Sequence, residues 1–388
     1  MDNAIEMETW QLADLPEGTY ELIDIRDQSS FEYSTMPGAV NIPDILQRAA
    51  AQALDKEKGE AGLLPADKKL VLFCMHGTES LPVAAALRKL GFDAYSLKGG
   101  FSAWILADMD DTDRSEEIDD SIRKNKHFHR CLFSKFAKAC KTYELVQPGD
   151  RIAVCISGGK DSMLMAKLFQ ELKRHNKVPF ELTFLVMDPG YNEVNRMLIE
   201  HNARTMGVPI KIFETRIFDA VYKIDKNPCY MCARMRRGHL YAKAKELGCN
   251  KIALGHHYDD VIETILMSML YGSQIQTMMP KLHSDHFEGM ELIRPMYLIR
   301  EDNIKEWRDY NGLHFIQCAC HFTDTCSSCR PDGSSVSKRM EIKHLIRDLK
   351  KTNPYVEGNI FKSVENVNLR TVMAYKKDGV KHYFLENY

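Results

Sequence analysis

The sequence predicts an α/β protein with two doubly wound parallel-sheet domains. Short apolar runs alternate with amphipathic helical patterns in both the amino-terminal third and the rest of the chain, and strands separated by helices pair in parallel. At 388 residues the chain exceeds one typical domain of roughly 150 residues. A composition with 44% hydrophobic and 27% charged residues argues against a disordered, fibrous or membrane protein.

The first domain is assigned to residues 1–110. Apolar runs at 20–25, 70–74 and 94–97 predict strands, and residues 81–90 predict a helix between the last two. This strand, loop, helix and strand order indicates a parallel sheet.

An acidic segment, residues 111–122, is predicted to link the first domain to a second one at 123–388. The formal net charge of the whole chain is -2, but this average conceals an asymmetry. Residues 1–114 contain 20 acidic and 10 basic residues, whereas the remainder contains 34 acidic and 42 basic ones. An excess of bases in the second part favours a polyanionic partner, although an evenly solvated surface is the alternative.

The second domain begins with a basic amphipathic stretch, 123–143, which either packs as an ordinary helix or contacts a phosphate backbone. The elements predicted after it are strand 151–155, helix 162–175, strand 180–187, helix 193–206, strand 210–213, a helix starting near Cys229, strand 251–254 and helix 259–270. This order predicts a second doubly wound sheet.

Cys74 directly follows the predicted strand 70–74 and opens a loop, Cys-Met-His-Gly-Thr-Glu-Ser, that leads into a helix. A thiol held by backbone N–H groups at a helix N-terminus is stabilised as a nucleophilic thiolate. A buried structural cysteine is the alternative from position alone.

The first domain resembles a rhodanese domain over nearly all of residues 8 to 106. The segments that carry the resemblance are Asp24-Ile-Arg26, Met36 to Pro43, the Cys74 loop, Gly91-Phe92 and Leu97 to Trp104. The resemblance implies that Cys74 takes up sulfane sulfur as a persulfide and passes it to an acceptor. Many rhodaneses carry an arginine where this chain has Glu79, so we expect a protein persulfide donor rather than anionic thiosulfate, which a carboxylate repels.

A phosphate-binding turn is predicted at Ser157 to Ser162, with the sequence Ser-Gly-Gly-Lys-Asp-Ser. Glycines let the backbone approach phosphate oxygens, and a helix N-terminus supplies free N–H donors. The spacing is not that of a Walker A loop. It resembles the PP-loop ATP pyrophosphatases, which cleave ATP between the α and β phosphates. The resemblance implies ATP binding by Ser157, Gly158, Gly159, Lys160, Asp161 and Ser162, with Lys160 and Asp161 catalytic.

A second motif, Gly-His-His-Tyr-Asp-Asp, begins at Gly255 after the strand 251–254. Asp259 and Glu263 share a helix face, and Asp260 is three residues from Glu263. Acids in a first turn either cap the helix dipole or help to hold magnesium pyrophosphate. The PP-loop family carries a comparable segment, which implies that Gly255 and Asp260 contribute to binding ATP and Mg²⁺.

Six of the 11 cysteines are grouped in pairs at 229 and 232, 318 and 320, and 326 and 329. Such spacings suit either a zinc ion or an iron-sulfur cluster. Cys155 and Cys249 stand beside apolar positions and are predicted to lie in the core.

The second domain resembles the tRNA 2-thiocytidine synthetase family over roughly residues 120 to 370. The motifs that carry the resemblance are Ser-Gly-Gly-Lys-Asp-Ser, Cys-x-x-Cys-x-Arg-x-Arg-Arg-Gly, Ala-Leu-Gly-His-His-x-Asp-Asp, Ile-Arg-Pro and a late cysteine pair. It implies a [4Fe-4S] cluster held by three cysteines, with one iron open to hold sulfur. We assign Cys229, Cys232 and Cys320 as ligands, although Cys318, Cys326 and Cys329 remain alternatives for the third.

The two resemblances together predict ATP-dependent tRNA thiolation of the 2-thiocytidine type, with Cys74 as the sulfur source. Phosphate contacts are expected from Arg234, Arg236 and Arg237. The expected partners are tRNA and a persulfide donor such as a cysteine desulfurase, with a homodimer left open. Thiolation of a uridine or a small molecule, and a sulfur-relay or cluster-scaffold protein that modifies no base, are the alternatives. Without a signal peptide or an apolar span, a cytoplasmic location is expected.

Overall fold

The first domain is a five-stranded parallel sheet flanked by helices. The structure, a computed structural model, describes residues 5–54, 64–65, 67–109, 112–175, 177–221, 228–316 and 338–387. The strands are β1 (Glu6–Met7), β2 (Tyr20–Asp24), β3 (Val40–Asn41), β4 (Lys69–Phe73) and β5 (Ala94–Leu97), and the helices are α1 (Thr9–Ala13), α2 (Gln28–Tyr33), α3 (Ile45–Leu54), α4 (Ser80–Lys89) and α5 (Gly100–Asp108). The strand order is β1-β5-β4-β2-β3, with every pair parallel.

The predicted strands and helix of this domain are confirmed to within about a residue at each end. The core of the central strand β4, from Leu70 to Phe73, is completely buried, as expected for a parallel sheet covered on both faces. The edge strands β1 and β3 have two residues each, too short to leave a periodic pattern in the sequence.

The predicted acidic linker differs from the structure. Residues 115–123 form helix α6 (Ser115–Arg123), and its Ile118 and Ile122 are buried. The indole N–H of Trp307 donates to the Ser121 hydroxyl at 3.0 Å. Two isoleucines four residues apart give α6 a narrow apolar stripe, Glu116 and Glu117 are exposed, and Asp119 lies 2.6 Å from the buried Lys167 ammonium group. The segment is therefore part of the second domain rather than a free connection.

The basic stretch forms one helical run that consists of α7 (Lys126–Phe128), a π-helical turn at His129–Phe133 and α8 (Ser134–Thr142). Its predicted apolar side chains, Phe128, Leu132, Phe136 and Cys140, are all buried. The packing interpretation of this stretch is confirmed, and its basic side chains remain on the outer face.

The second domain is a six-stranded sheet with helices on both faces. Its strands are β6 (Arg151–Ile156), β7 (Glu181–Asp188), β8 (Ile210–Glu214), β9 (Lys251–Ala253), β10 (Lys281–His283) and β11 (Glu291–Ile293). Its main helices are α9 (Lys160–Arg174), α10 (Glu193–Thr205), α11 (Ile217–Val221), α12 (Pro228–Glu246), α13 (Tyr258–Gly272) and α14 (Glu301–Tyr310). The order is β10-β11-β9-β6-β7-β8, parallel except for the edge strand β10.

A carboxy-terminal part packs beside this sheet. It comprises α15 (Lys338–Thr352), α16 (Val356–Ser363), a short helical turn at Leu369–Thr371, the hairpin β12 (Ala374–Lys377) and β13 (Val380–Tyr383), and a last turn at Phe384–Asn387. Ile342, Ile346 and Phe361 join a buried cluster with Val261 and Ile265 of α13. Among the described helices, none is both long and apolar enough to cross a membrane.

The two domains pack directly against each other. Phe73 and Phe101 of the first domain belong to the same buried cluster as Leu198 and Ile199 of the second. The Trp104 ring meets the His314 ring edge-on at 5.1 Å between centroids. The predicted α/β class with two doubly wound sheets is confirmed, and the sheets share a continuous core.

Candidate functional site

Cys74 lies in a loop that directs backbone donors at its sulfur. It follows β4 at the carboxyl end of the sheet and is buried. The Gly77 N–H donates to Sγ at 3.1 Å, and the Ser80 hydroxyl lies 3.6 Å from Sγ. The N-terminus of α4, which begins at Ser80, adds a positive dipole end. The sulfur therefore has the backbone N–H donor and the helix N-terminus that the sequence predicts beside Cys74.

Two glycines allow this loop to close on the turn before α5. Gly77 has a φ of +80°, and a Cβ there would lie 2.8 Å from the Gly99 nitrogen. A Cβ on Gly100 would lie 2.4 Å from the Cys74 carbonyl oxygen. The Phe101 N–H donates to that same oxygen at 2.9 Å. The Lys-Gly-Gly-Phe segment is therefore the support on which the Cys74 loop rests, while Glu79 is exposed just before α4.

Ser157 to Ser162 form the predicted strand-to-helix turn between β6 and α9. The Ser157 N–H donates to the Ser162 hydroxyl at 3.1 Å, which fixes the loop on itself. Gly158 has a φ of +84°, and a Cβ there would meet Ile199 at 2.6 Å. The loop lies at the reversal of strand order between β6 and its neighbours β7 and β9, the usual ligand crevice of such sheets.

Lys160 is buried at the start of α9 between two carboxylates. Its ammonium nitrogen lies 3.2 Å from Asp161 Oδ2 and 3.3 Å from Glu301 Oε1. Burial opposes the charged form, but these carboxylates outweigh it and raise the pKa of Lys160. Asp161 Oδ1 is buried without a hydrogen-bond partner. The turn thus holds a fixed cation and one unsatisfied carboxylate oxygen.

The Gly255 segment packs on this turn as predicted. A Cβ on Gly255 would lie 3.2 Å from the Ser162 nitrogen, so a glycine allows this close packing on α9 without a shift of the backbone. His257 caps α13. Its ring nitrogen accepts from the Asp260 backbone N–H, and the Asp260 carboxylate accepts from the His257 backbone N–H at 3.0 Å. The second motif therefore forms the other wall of the crevice.

Each acid of the second motif is paired with a cation that the sequence did not single out. Arg300 contacts Asp259 at 3.0 Å, and Arg339 contacts Asp260 at 2.7 Å. Burial favours the neutral acid at Asp260, but His257 and Arg339 outweigh it and lower the pKa of Asp260. The dipole-capping interpretation of these acids is supported by the capping box, and their charge is balanced within the protein.

Glu263 is the most deeply buried acid of the motif. Lys343 and Arg339 lie 3.7 and 3.5 Å from its oxygens, and Oε2 has no hydrogen bond. Burial dominates and raises the pKa of Glu263 to about 7. Among the described residues, no group of three His, Cys, Asp or Glu side chains is arranged to hold a metal ion.

The crevice also contains three charged residues that the sequence analysis did not select: Glu301, Arg339 and Lys343. Glu301 opens α14 and joins Lys160 to Lys343, which lies 3.1 Å from it. In the sequence Glu301 resembles any acid at a helix N-terminus, and Arg339 and Lys343 resemble solvated bases of an amphipathic helix. Only the tertiary fold shows that α13, α14 and α15 converge beside the turn.

The predicted cluster ligands are described only in part. Cys232 lies half-buried in α12 beside an apolar cluster that includes Met187 and Ile217. Cys229 stands in the first turn of the same helix. The third predicted ligand lies outside the described residues, as do its three alternatives: Cys320, Cys318, Cys326 and Cys329.

Two further cysteines, Cys155 and Cys249, are buried, which confirms the prediction that they lie in the core. Burial raises the pKa of the Cys155 thiol to about 12.

The predicted RNA-binding arginines follow Cys232 on α12. Arg234 and Arg237 are exposed, whereas Arg236 is half-buried, with its guanidinium 3.4 Å from the Tyr191 hydroxyl. Arg234 and Arg237 are three residues apart and so lie on one side of the helix. This face can contact a polyanion.

Comparisons with known proteins agree with this geometry. A family model described as a PP-loop domain matches residues 130–321, and one described as a rhodanese-like domain matches residues 8–107. The chain is 31% identical over 255 residues to the tRNA-cytidine(32) 2-sulfurtransferase of Pelobacter propionicus, covering 65% of this chain and 91% of that protein. It is 35% identical over 235 residues to the protein of the same name from Alkalilimnicola ehrlichii, covering 59% and 70%.

A solved structure is also similar to part of this chain. The U34-tRNA thiolase NcsA from Methanococcus maripaludis, with its [4Fe-4S] cluster, is 22% identical with a TM-score of 0.47, and the alignment covers 61% of this chain and 79% of that one.

Proposed function

Because the chain belongs to the family of the tRNA-cytidine(32) 2-sulfurtransferases, and carries a rhodanese-like domain before its PP-loop domain, we propose that it thiolates C2 of a tRNA cytidine using ATP. The observation that carries the proposal is the contact between the Ser157 to Ser162 turn and Gly255 at the reversal of strand order. A phosphate-binding turn at that position serves a nucleotide.

The first step in the proposal activates the base. A cytidine held out of the base stack in the crevice would present its C2 oxygen to the α phosphate of ATP. That oxygen forms a bond to phosphorus as the bond to pyrophosphate breaks, which turns the oxygen into part of a leaving group. Lys160 and the N–H groups of the first turn of α9 are placed to balance the growing phosphate charge.

The second step replaces this oxygen with sulfur. The terminal sulfur of a Cys74 persulfide would attack C2 and expel AMP, which leaves a C2–S–S–Cys74 disulfide. A second thiol would then attack Cys74 Sγ, so that the S–S bond breaks with its electron pair on the sulfur bound to C2, and a disulfide forms between Cys74 and that thiol. A further thiol would restore free Cys74 by reducing this disulfide. The Gly77 N–H, 3.1 Å from Sγ, lies beside the attacked sulfur. A cysteine desulfurase is the proposed source of the persulfide.

The proposal assigns residues to two groups that the family implies, Mg²⁺ and an iron-sulfur cluster. Asp161, with its unpartnered Oδ1 beside the phosphate turn, is the residue that fits Mg²⁺ on the nucleotide, where the ion would offset phosphate charge. Cys229, Cys232 and Cys320 would hold a [4Fe-4S] cluster, which supplies an iron site for sulfur when bound. The half-buried thiol of Cys232 fits a ligand, and Arg234 and Arg237 beside it would contact tRNA phosphates.

The proposal is tested by pyrophosphate release. Anaerobically reconstituted protein should release pyrophosphate from ATP only when a tRNA pool is added, and no release with any pool would refute the thiolase function. Mass spectrometry of tRNA nucleosides from cells lacking the protein should show loss of 2-thiocytidine. Loss of a 2-thiouridine instead would assign the same chemistry to another base.

A further inference from the structure

Tyr33, the last residue of α2 in the rhodanese-like domain, lies against the phosphate turn of the PP-loop domain. Its hydroxyl donates to the Ile316 carbonyl oxygen at 2.8 Å. Its ring centre lies 5.2 Å from the Lys160 ammonium nitrogen. The backbone N–H of Ile316 in turn donates to the Gly158 carbonyl at 3.3 Å. A side chain of one domain is thus placed on the nucleotide-binding turn of the other.

The phenol oxygen lies beside the residues at which α9 begins. A Cβ on Gly159 would lie 3.9 Å from the Tyr33 oxygen and 3.7 Å from the Ser157 hydroxyl. Burial raises the pKa of the Tyr33 phenol to about 12, although the charge of Lys160 acts to lower it. The first N–H groups of a helix have no partner within the helix and are the donors that bind a phosphate oxygen. Tyr33 therefore places a neutral ring and oxygen beside the helix start at which a phosphate would bind.

The Lys160 ammonium group already has partners within the protein. Asp161 and Glu301 hold the ammonium group at 3.2 and 3.3 Å, and the Tyr33 ring covers it from the first domain. A cation over an aromatic face is stabilised most when water is kept away. A nucleotide phosphate that reached Lys160 would have to take the place of the ring.

The end of α2 is held in this position by contacts from the second domain. The Arg308 guanidinium donates to the Tyr33 backbone oxygen and lies 5.7 Å from the ring centre. The Ser34 hydroxyl lies 3.4 Å from His314 Nδ1. Because Arg308 is buried in α14, the docking of the two domains contributes to the position of Tyr33.

We propose that Tyr33 closes the phosphate cradle when the rhodanese-like domain is docked in this arrangement, so that nucleotide binding and this docking oppose each other. The inference rests on the proposed function, since it takes the Ser157 to Ser162 turn as the site of the ATP phosphates. The Lys160 charge and the space beside Gly159 serve either the tyrosine or a phosphate. The opposition is reciprocal, because linkage requires each event to weaken the other by the same factor. Entry of ATP would thereby release the donor domain from this contact.

The affinity of the full-length protein for a non-hydrolysable ATP analogue tests this inference. Tyr33→Phe removes only the oxygen, and Tyr33→Ala also uncovers Lys160. We expect the Kd to fall roughly three- to tenfold, the size of one net hydrogen bond, with the larger effect for alanine. Tyr95→Phe, which alters a tyrosine on β5 of the same domain, should leave the Kd unchanged. A higher Kd in both Tyr33 variants would show that Tyr33 completes the site, and would overturn the inference while leaving the proposed function intact.

Hydrogen exchange gives a second and independent readout. Addition of the ATP analogue to wild-type protein should speed amide exchange in residues 28–35, because the end of α2 loses its contacts. Slower or unchanged exchange there contradicts the inference. Absence of analogue binding in the wild type and in both variants would refute the nucleotide site itself, and the inference with it.

Discussion

The Tyr33 ring and the Lys160 ammonium group come from different domains, yet the ring centre lies 5.2 Å from the lysine nitrogen. This contact shows which edges of the two sheets face each other. Tyr33 follows β2, and Cys74 follows β4, at the same carboxyl edge of the first sheet because β2 and β4 are parallel. Lys160 follows β6 at the carboxyl edge of the second sheet. The proposed sulfur-carrying edge and the proposed nucleotide-binding edge are therefore turned toward each other within one chain.

Side-chain contacts connect these edges. Asp24, paired in register with Phe73 beside the nucleophile, binds Arg26 through a buried ion pair at 2.6 Å. Arg26 also donates to the Ser34 carbonyl oxygen at 2.7 Å, next to Tyr33. The Asp24-Ile-Arg26 segment thus fixes the end of α2 against the strand that precedes Cys74.

Replacing Cys74 should separate the two proposed half-reactions. Cys74→Ala removes the sulfur that would carry the persulfide, so transfer from a persulfide donor should fall to background. Binding of an ATP analogue should be unchanged, because the phosphate turn lies in the other domain. Cys131→Ala, on the basic helical run, is the matched control for loss of one thiol. Equal loss of transfer and nucleotide binding in Cys74→Ala would contradict the division between the domains.

Glu263 should make stability depend on pH. Burial raises its folded-state pKa from an ordinary value of 4.5 to about 7, so the folded protein binds this proton more tightly than the unfolded chain does. Stability from this group is present below pH 4.5 and is lost as the pH rises toward 7. Glu263→Gln should therefore gain stability relative to wild type across this window, by up to about 3 kcal/mol.

Denaturant unfolding at several pH values measures this effect. Glu246→Gln, at an exposed position of α12, is the control and should follow the wild type at every pH. A stability difference between Glu263→Gln and wild type that stays constant from pH 4.5 to 7 would show that Glu263 has no raised pKa in the folded protein.

Patterns of local structure made most of the fold predictable. Two central strands are buried on both faces, at residues 70–73 and 152–156, and so leave continuous apolar runs, and glycines mark the turns at both predicted sites. The linker prediction missed α6 because four of its nine residues are acidic and it buries only a narrow apolar stripe, which is a weak signal beside the charge. The contact between Tyr33 and Lys160 could not be predicted. The two residues are 127 positions apart, and a contact between domains produces no periodic pattern in the sequence.

Loss of Cys232 should remove iron. Cys232→Ala takes away one of three predicted thiolate ligands, so the anaerobically reconstituted protein should lose most of its iron and its brown absorption. Cys249→Ala, which changes a core thiol, should keep both. Full iron content in Cys232→Ala, together with a normal melting temperature, would refute the ligand assignment.

Arg237 should contribute to tRNA affinity through charge alone. A phosphate contact is independent of sequence and releases counterions, so Arg237→Ala should weaken binding of every tRNA similarly and lower the slope of log Kd against log salt by about one. Arg151→Ala removes an exposed arginine at the amino end of β6, the opposite edge of the sheet, and should change neither quantity. Filter binding between roughly 50 and 200 mM salt measures both the affinity and the slope, because phosphate contacts change the affinity strongly over this range. An unchanged slope in Arg237→Ala would show that the tRNA binds another face of the protein. The outer side of the basic helical run would then be the next surface to test.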